Sequence, residues 1–211
     1  MTQPITVGRL LRRLRWDIMD PGERRNLVYY FMQYVPGEFG DQLRSRFLCK
    51  HMKRAGVNVR IMAGSRFRSI EKLEVGDNVS IGFDNFLQAK GGLTIGDNVL
   101  LGPSVKIWTT NHNYSNPDVP IRLQGHTNTP VTIGEDVFIA SNAFILPGAN
   151  IGRGSVVSAG AVVNGKAYPP YAILGGNPAR VIGYRGGRNE AQVEQRAEAA
   201  PGGDAPSMVA R

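Results

Sequence analysis

Between Val131 and Val163 an apolar side chain falls at every sixth position: Ile133, Ile139, Ile145, Ile151, Val157 and Val163. A second row keeps the same step with smaller residues, Val131, Val137, Ala143, Ala149, Ser155 and Ala161. The residue after each large one is mostly small, as at Gly134, Ala140, Gly152 and Ser158. A period of six suits neither a helix of 3.6 residues per turn nor a strand alternating every two. It suits a chain that makes one short strand and one corner per six residues and stacks its coils on one another. The expected fold is mainly β, a parallel β-helix.

The same rows extend upstream. Val75, Ile81 and Leu87 step by six, and so do Ile95, Leu101 and Ile107, with Val99 and Val105 as companions. A two-residue slip at Ala89-Lys90-Gly91-Gly92 separates the two sets. The first coils, with Val59, Ile61, Phe67 and Ile70, are ragged, and the solenoid begins near Val57. Gly76-Asp77-Asn78 and Gly96-Asp97-Asn98 repeat each other as corners should, because Asn and Asp tolerate left-handed dihedrals. The 26 glycines suit tight corners.

Periodicity stops at Trp108 and resumes at Val131. The 23 residues 108–130 hold two of the three histidines and three prolines. An insertion of this length in a compact repeat marks a functional or disordered segment, and its titratable side chains favour function. After Val163, residues 165–178 end the repeat with prolines and glycines, and Arg180-Val181-Ile182 forms a short closing element. Residues 186–211 lack large apolar side chains and read as a disordered tail. The chain thus divides into a helical segment, 1–56, a β-helix, 57–185, with its protruding loop at 108–130, and the tail.

The helical segment carries the charge. Residues 1–60 hold 12 Lys and Arg against 5 Asp and Glu, whereas 61–211 hold 13 against 12. Leu10, Leu11, Leu14 and Ile18 lie at helical spacing with arginines between them. Asp20-Pro21-Gly22-Glu23 starts a second helix, with Asp20 as cap and Glu23 reaching back to it. Asp41 is expected to cap a third, whose buried stripe is Leu43, Phe47, Leu48 and Met52 and which Gly56 ends. These basic helices cover the open end of the solenoid, and the same faces suit a peripheral membrane contact. No aromatic-basic motif for nucleic acid accompanies them. The longest apolar run, Leu27 to Val35, is too short to span a bilayer, and no secretory signal is visible. The single cysteine, Cys49, excludes an internal disulfide and fits a reducing compartment, the cytoplasm or the inner face of its membrane.

The six-residue rows, the histidine-bearing loop and the closing GGNPARVIGYR together resemble the left-handed β-helix acyltransferases over about residues 57–185. Within them the chain is similar to the acetyl-coenzyme A-dependent O-acetyltransferases of sugars and surface polysaccharides, the maltose, galactoside and colanic-acid branch. The left hand follows from the resemblance alone. The resemblance implies a homotrimer with active sites between neighbouring coils, and a loop reaching toward the adjacent subunit. It puts His112, in Thr-Asn-His-Asn-Tyr, at the place of the family's general base, a role that suits an imidazole. It implies acetyl-CoA as co-substrate, with Ser141 and Ala159 offering backbone amides to the thioester and pantetheine. Phe138 stands where many relatives carry Trp, while Lys166, Arg180 and Arg185 are placed to meet phosphates. On the acceptor side it points to Asp84 and Asn85, with Asn111 and Tyr114 flanking the base. His126 is read as structural or peripheral to the acceptor site, and His51 as surface or packing. No metal is required.

Three other functions compete. A serine or amino-sugar acetyltransferase shares fold and chemistry. A non-catalytic binding solenoid shares only the repeat. A carbonic anhydrase-like zinc enzyme of this fold needs three histidine ligands, and the spacing of His112 and His126 does not suit it.

Overall fold

In a computed structural model, residues 6–187 are described; the tail expected over 186–211 falls almost wholly outside them. Three helices, α1 (Val7–Met19), α2 (Pro21–Met32) and α3 (Gly37–Cys49), precede a β-solenoid of about six turns. The expected β-helix and its helical lead-in are both present. Each of the first five coils contributes one short strand to each of three walls, and the last coil contributes to the first two. The first wall stacks Arg54–Ala55, Leu73–Val75, Leu93–Ile95, Val131–Ile133, Asn150–Ile151 and Ala167–Tyr168 in parallel. The second runs from Arg60–Ile61 to Ala172–Gly176, and the third from Arg66–Arg68 to Val162–Val163. The second wall closes with an antiparallel strand, Ala179–Tyr184, which is the expected terminal element.

The periodic rows fill the prism. Ile61, Ile81, Ile107, Ile139, Ile145, Ile151, Val157 and Val163 are fully buried, and so are Ala143 and Ser155 of the companion row. Each wall has one side facing inward, so a residue that closes one short strand and its counterpart six later reach the same interior. The slip in phase is an extra length of corner. Leu73 lies under Leu93 and Ile81 under Leu101, a coil of 20 residues, whereas Ile133 lies under Ile151, a coil of 18. The surplus sits between the third and first walls, at Ser69–Lys72 and Ala89–Gly92, so the walls stay in register.

The first corner is a column of left-handed residues, Asn58, Asn78, Asn98 and Asp136. Asn58 donates to Asn78 and Asn78 to Asn98, while the Asp77 amide donates to the Asp97 carboxylate. The expected corner chemistry is therefore also a ladder between coils. Beside it, Gly134 has no room for a side chain: a Cβ there would lie 2.7 Å from the Arg153 amide nitrogen.

The helices divide between two tasks. Helix α3 caps the exposed edge of the first coil. Ser45 Oγ accepts from the Ile61 amide at 2.9 Å, and Arg44 Nε donates to the Ile61 carbonyl at 3.1 Å. Helix α2 adds Tyr29 Oη donating to the Ser65 carbonyl and Gln33 Nε2 donating to the Gly64 carbonyl. These side chains replace a missing coil, which is how an open strand edge is shielded. Helix α1 buries no side chain, and Leu10, Leu11, Leu14 and Ile18 stay exposed.

Several local expectations need correction. Asp41 does not cap α3; it lies in the second turn, buried, with its carboxylate on Arg44 and Arg60. A buried guanidinium one turn away holds it more strongly than helix amides would. Asp20 does cap α2, accepting from the Glu23 amide at 2.9 Å. The Glu23 carboxylate does not reach back, because the Asp20 amide already donates to Trp16. Gly56 does not end α3, which stops at Cys49; it belongs to the first corner, packed under Gly76. Of the expected stripe, Leu48 and Met52 are buried, while Leu43 and Phe47 are half-buried. His51 packs its ring against Phe47.

Candidate active site

The loop that interrupts the period has a fixed stem. Trp108 ends the third wall, and Thr109 behind it is fully buried. The Thr109 amide donates to Gln88 Oε1, its hydroxyl donates to the Gln88 carbonyl, and the Gly91 amide donates to that hydroxyl. The Thr129 amide returns to the Thr109 carbonyl. Farther out, Asn113 and Gln124 tie the two arms, with Asn113 Nδ2 donating to the Gln124 carbonyl and Gln124 Nε2 to the Val119 carbonyl. The segment is thus held by its own polar side chains, as compact surface loops commonly are.

From this stem Thr110–His112 and His126–Asn128 pair antiparallel. The two strands read TNH and HTN, the same three residue types in a different order. The register sets Thr110 against Asn128, Asn111 against Thr127 and His112 against His126. Thr110 Oγ1 donates to Asn128 Oδ1 at 2.7 Å. The imidazole centroids are 4.2 Å apart. Partial desolvation, with His112 and Lys90 nearby, holds the His126 pKa below its ordinary value. His126 is thus a direct neighbour of His112.

His112 lines two clefts. One, of about 380 Å³, lies against the third wall and is bounded by Arg68, Gln88, Lys90, Trp108, Thr110 and both histidines. The other, of about 420 Å³, is bounded by Asn111, His112, Asn113, Tyr114, Thr129 and Pro147. The structure therefore brings Asn111 and Tyr114 to His112. Arg68, Gln88, Lys90 and Trp108 were not among the expected site residues. Arg68, Gln88 and Lys90 come from the two coils below and meet the loop only because the coils stack, while Trp108 stands at the base of the loop itself. Among the described residues no group of three His, Cys, Asp or Glu is placed to hold a metal ion.

Asp84 and Asn85 are elsewhere, at the corner where the second wall turns into the third. Asp84 is exposed with a left-handed backbone. Asn85 corrects an expectation: its side chain is fully buried, with Nδ2 donating to the Gly82 carbonyl, so it does not reach an acceptor. The corner needs an inward polar group to hold its backbone, and Asn85 fills that role.

Ser141 and Ala159 share the Asp84 corner, one coil apart, linked by the Gly160 amide donating to the Ser141 carbonyl. Among the described residues no acceptor takes the Ser141 or Ala159 amide hydrogen. Two such donors on an exposed edge fit the carbonyls of a pantetheine arm. Phe138 lies on the second wall, 42% exposed, between Leu100 and Val156. Lys166 is exposed, with its ammonium 5.2 Å from the Tyr168 ring centre, and Arg180 is exposed on the closing strand. Arg185 is already paired with Asp136 at 2.6 Å. One wall thus separates two groups of residues. The amide corner precedes the third wall, and His112 follows it.

Residues 130–165 match the bacterial transferase hexapeptide (six repeats) family. The galactoside O-acetyltransferase of Escherichia coli K12 is 30% identical over 86% of this chain and 88% of its own length. A probable acetyltransferase of Mycobacterium tuberculosis is 40% identical over 61% of this chain, which spans 42% of that protein. The structure of a galactoside acetyltransferase in complex with coenzyme A superposes with a TM-score of 0.69, at 28% identity, over 87% of this chain and 92% of that one. The chain belongs to the hexapeptide-repeat acetyltransferase family.

Proposed function

We propose that the protein is an acetyl-CoA-dependent O-acetyltransferase acting on a hydroxyl of a sugar or surface-polysaccharide precursor, with His112 as general base. The observation that carries this is the position of His112, held on a stiff hairpin where two clefts meet. Acetyl-CoA supplies the thioester carbonyl. His112 takes the proton of the acceptor hydroxyl as its oxygen attacks that carbonyl, and gives the proton to the departing thiol. The amides of Ser141 and Ala159 orient the acyl donor, and Asn111 and Tyr114 bound the acceptor side.

A homotrimer completes the site. The amide corner and His112 lie at opposite edges of one wall, so a single chain cannot bring them together. A neighbouring copy that sets its corner against this loop can. The expected place of action is the cytoplasm, where acetyl-CoA is made and Cys49 stays reduced.

The test is release of free thiol from acetyl-CoA, with and without sugar acceptors, for the full chain and for His112→Ala. Acceptor-dependent thiol release that falls about 10²–10⁴-fold in His112→Ala is expected. Release that ignores both the acceptor and the substitution would remove the proposal. Sedimentation of the same preparation reads the trimer.

A further inference from the structure

The cleft between the third wall and the loop has an unbalanced charge. Arg68, Gln88 and Trp108 occupy one column of that wall, on three successive coils. Lys90 follows on the adjoining corner, and His112 and His126 face them from the hairpin. None of the residues bounding the cleft is acidic. Among the described residues neither Arg68 nor Lys90 enters an ion pair. Two exposed cations converge there beside two imidazoles, and no carboxylate of the cleft offsets the cations' repulsion. A bound anion would offset it, and would gain from the partly enclosed walls, where charges attract more strongly than in open water.

The floor of the cleft has a different chemistry. Trp108 is half-buried, gripped edge to face by Phe86 at 5.9 Å and Phe144 at 6.0 Å between ring centres. A ring held in one orientation offers a flat apolar surface for the C–H face of a sugar. Gln88 Oε1 is turned away to the Thr109 amide, so it adds no negative group to the cleft.

We infer that the acceptor is an acidic sugar, one whose phosphate or carboxylate is held by Arg68 and Lys90 while its ring lies on Trp108 and its hydroxyl meets His112. This inference rests on the O-acetyltransferase proposal above and narrows its acceptor. A neutral sugar would leave both cations without a counter-charge in the occupied cleft.

The experiment is calorimetric titration of the full chain at saturating coenzyme A with galactose 1-phosphate, galacturonate and methyl galactoside. At least one acidic sugar should bind roughly ten-fold more tightly than the neutral one, since a single charge-assisted contact is worth that much. Lys90→Gln and Arg68→Gln should each lose most of that advantage and leave coenzyme A affinity unchanged. Both side chains are exposed, so both variants should fold, and circular dichroism checks this. Equal binding of all three sugars overturns the inference. So does an acidic-sugar advantage that disappears when coenzyme A saturates the protein, because the cations would then serve the coenzyme's phosphates. Thiol release with methyl galactoside as the preferred acceptor would sink this inference and leave the O-acetyltransferase proposal standing. Tight acidic-sugar binding without thiol release from any acceptor would do the reverse.

Discussion

His112 and His126 face each other across an antiparallel strand pair, with ring centres 4.2 Å apart. A charge on one of two imidazoles so close opposes a charge on the other. The pKa of His126 is lowered by partial desolvation, then by His112 and Lys90. Its NMR titration midpoint should therefore fall below the ordinary value of about 6.5. In His112→Ala and in Lys90→Gln the midpoint should move up, since each change removes a positive neighbour. A folded-state value below the unfolded one means the unfolded chain binds more protons. The stability contributed at this site is then present above about pH 6.5 and lost as pH falls through the lowered value. A midpoint that stays put in both variants would show that the rings do not interact.

Arg44 is the hinge pin of the helical cap. Its guanidinium is 1% exposed and reaches Asp41 and the carbonyls of Met32, Val35 and Ile61. Arg44→Ala leaves the largely buried Asp41 carboxylate with only Arg60, and the carbonyls of Met32, Gln33, Val35 and Ile61 each with one donor fewer. Removing one partner of a buried pair costs about 3–5 kcal/mol. Urea denaturation should read a loss of that size, and hydrogen exchange should place it in α3 and the first coil. A loss below about 1 kcal/mol would mean that the pair is not buried in solution.

Gly134 and Gly160 respond to alanine for different reasons. At Gly134 a Cβ would meet backbone at 2.7 Å, which cannot move aside, so overpacking should cost about 1–3 kcal/mol or more. At Gly160 the space is open, but φ is +69°, so Gly160→Ala should cost about 1–2 kcal/mol from backbone strain alone. D-alanine at 160, introduced by semisynthesis, should restore the loss there, and D-alanine at 134 should restore nothing. Thermal unfolding of the four variants separates strain from crowding.

Helix α1 predicts a charge-dependent surface contact. Arg9, Arg12, Arg13 and Arg15 share it with the exposed row of Leu10, Leu11, Leu14 and Ile18. No helix among the described residues is long and apolar enough to cross a membrane. We propose that α1 instead lies on an anionic lipid surface. The protein should then sediment with phosphatidylserine vesicles and less with phosphatidylcholine, and high salt should release it. Arg12→Glu with Arg13→Glu should weaken that binding at least ten-fold. Equal binding to both lipids, or no effect of the double substitution, would leave the apolar row for another copy of the chain.

Much of this architecture was legible in the sequence. Ile133, Ile139, Ile145 and Ile151 announced the solenoid because a side chain that must face one interior recurs with the geometry that encloses it. Asn78 and Asn98 announced the corners because few residues accept a left-handed backbone. His112 stood out because it lies where the period fails. The helix cap at Asp41 was misread because capping is local and short-range, while the guanidiniums that claim this carboxylate arrive from Arg44 and Arg60, the latter on another element. Asn85 was misread because a polar residue at a corner looks available, whereas this corner turns its side chain inward onto the Gly82 carbonyl.

The sequence by itself determined the repeat, the corners and the interruption that bears His112, because each follows from neighbours within one coil. The tertiary structure decided what surrounds that histidine. Arg68, Gln88 and Trp108 lie 20 residues apart along the chain and become one column only when the coils stack in register. His126 meets His112 only when the loop folds back on itself. The wall that holds the amide corner away from His112 was likewise invisible in the letters. It follows from the width of the prism, which no local pattern encodes.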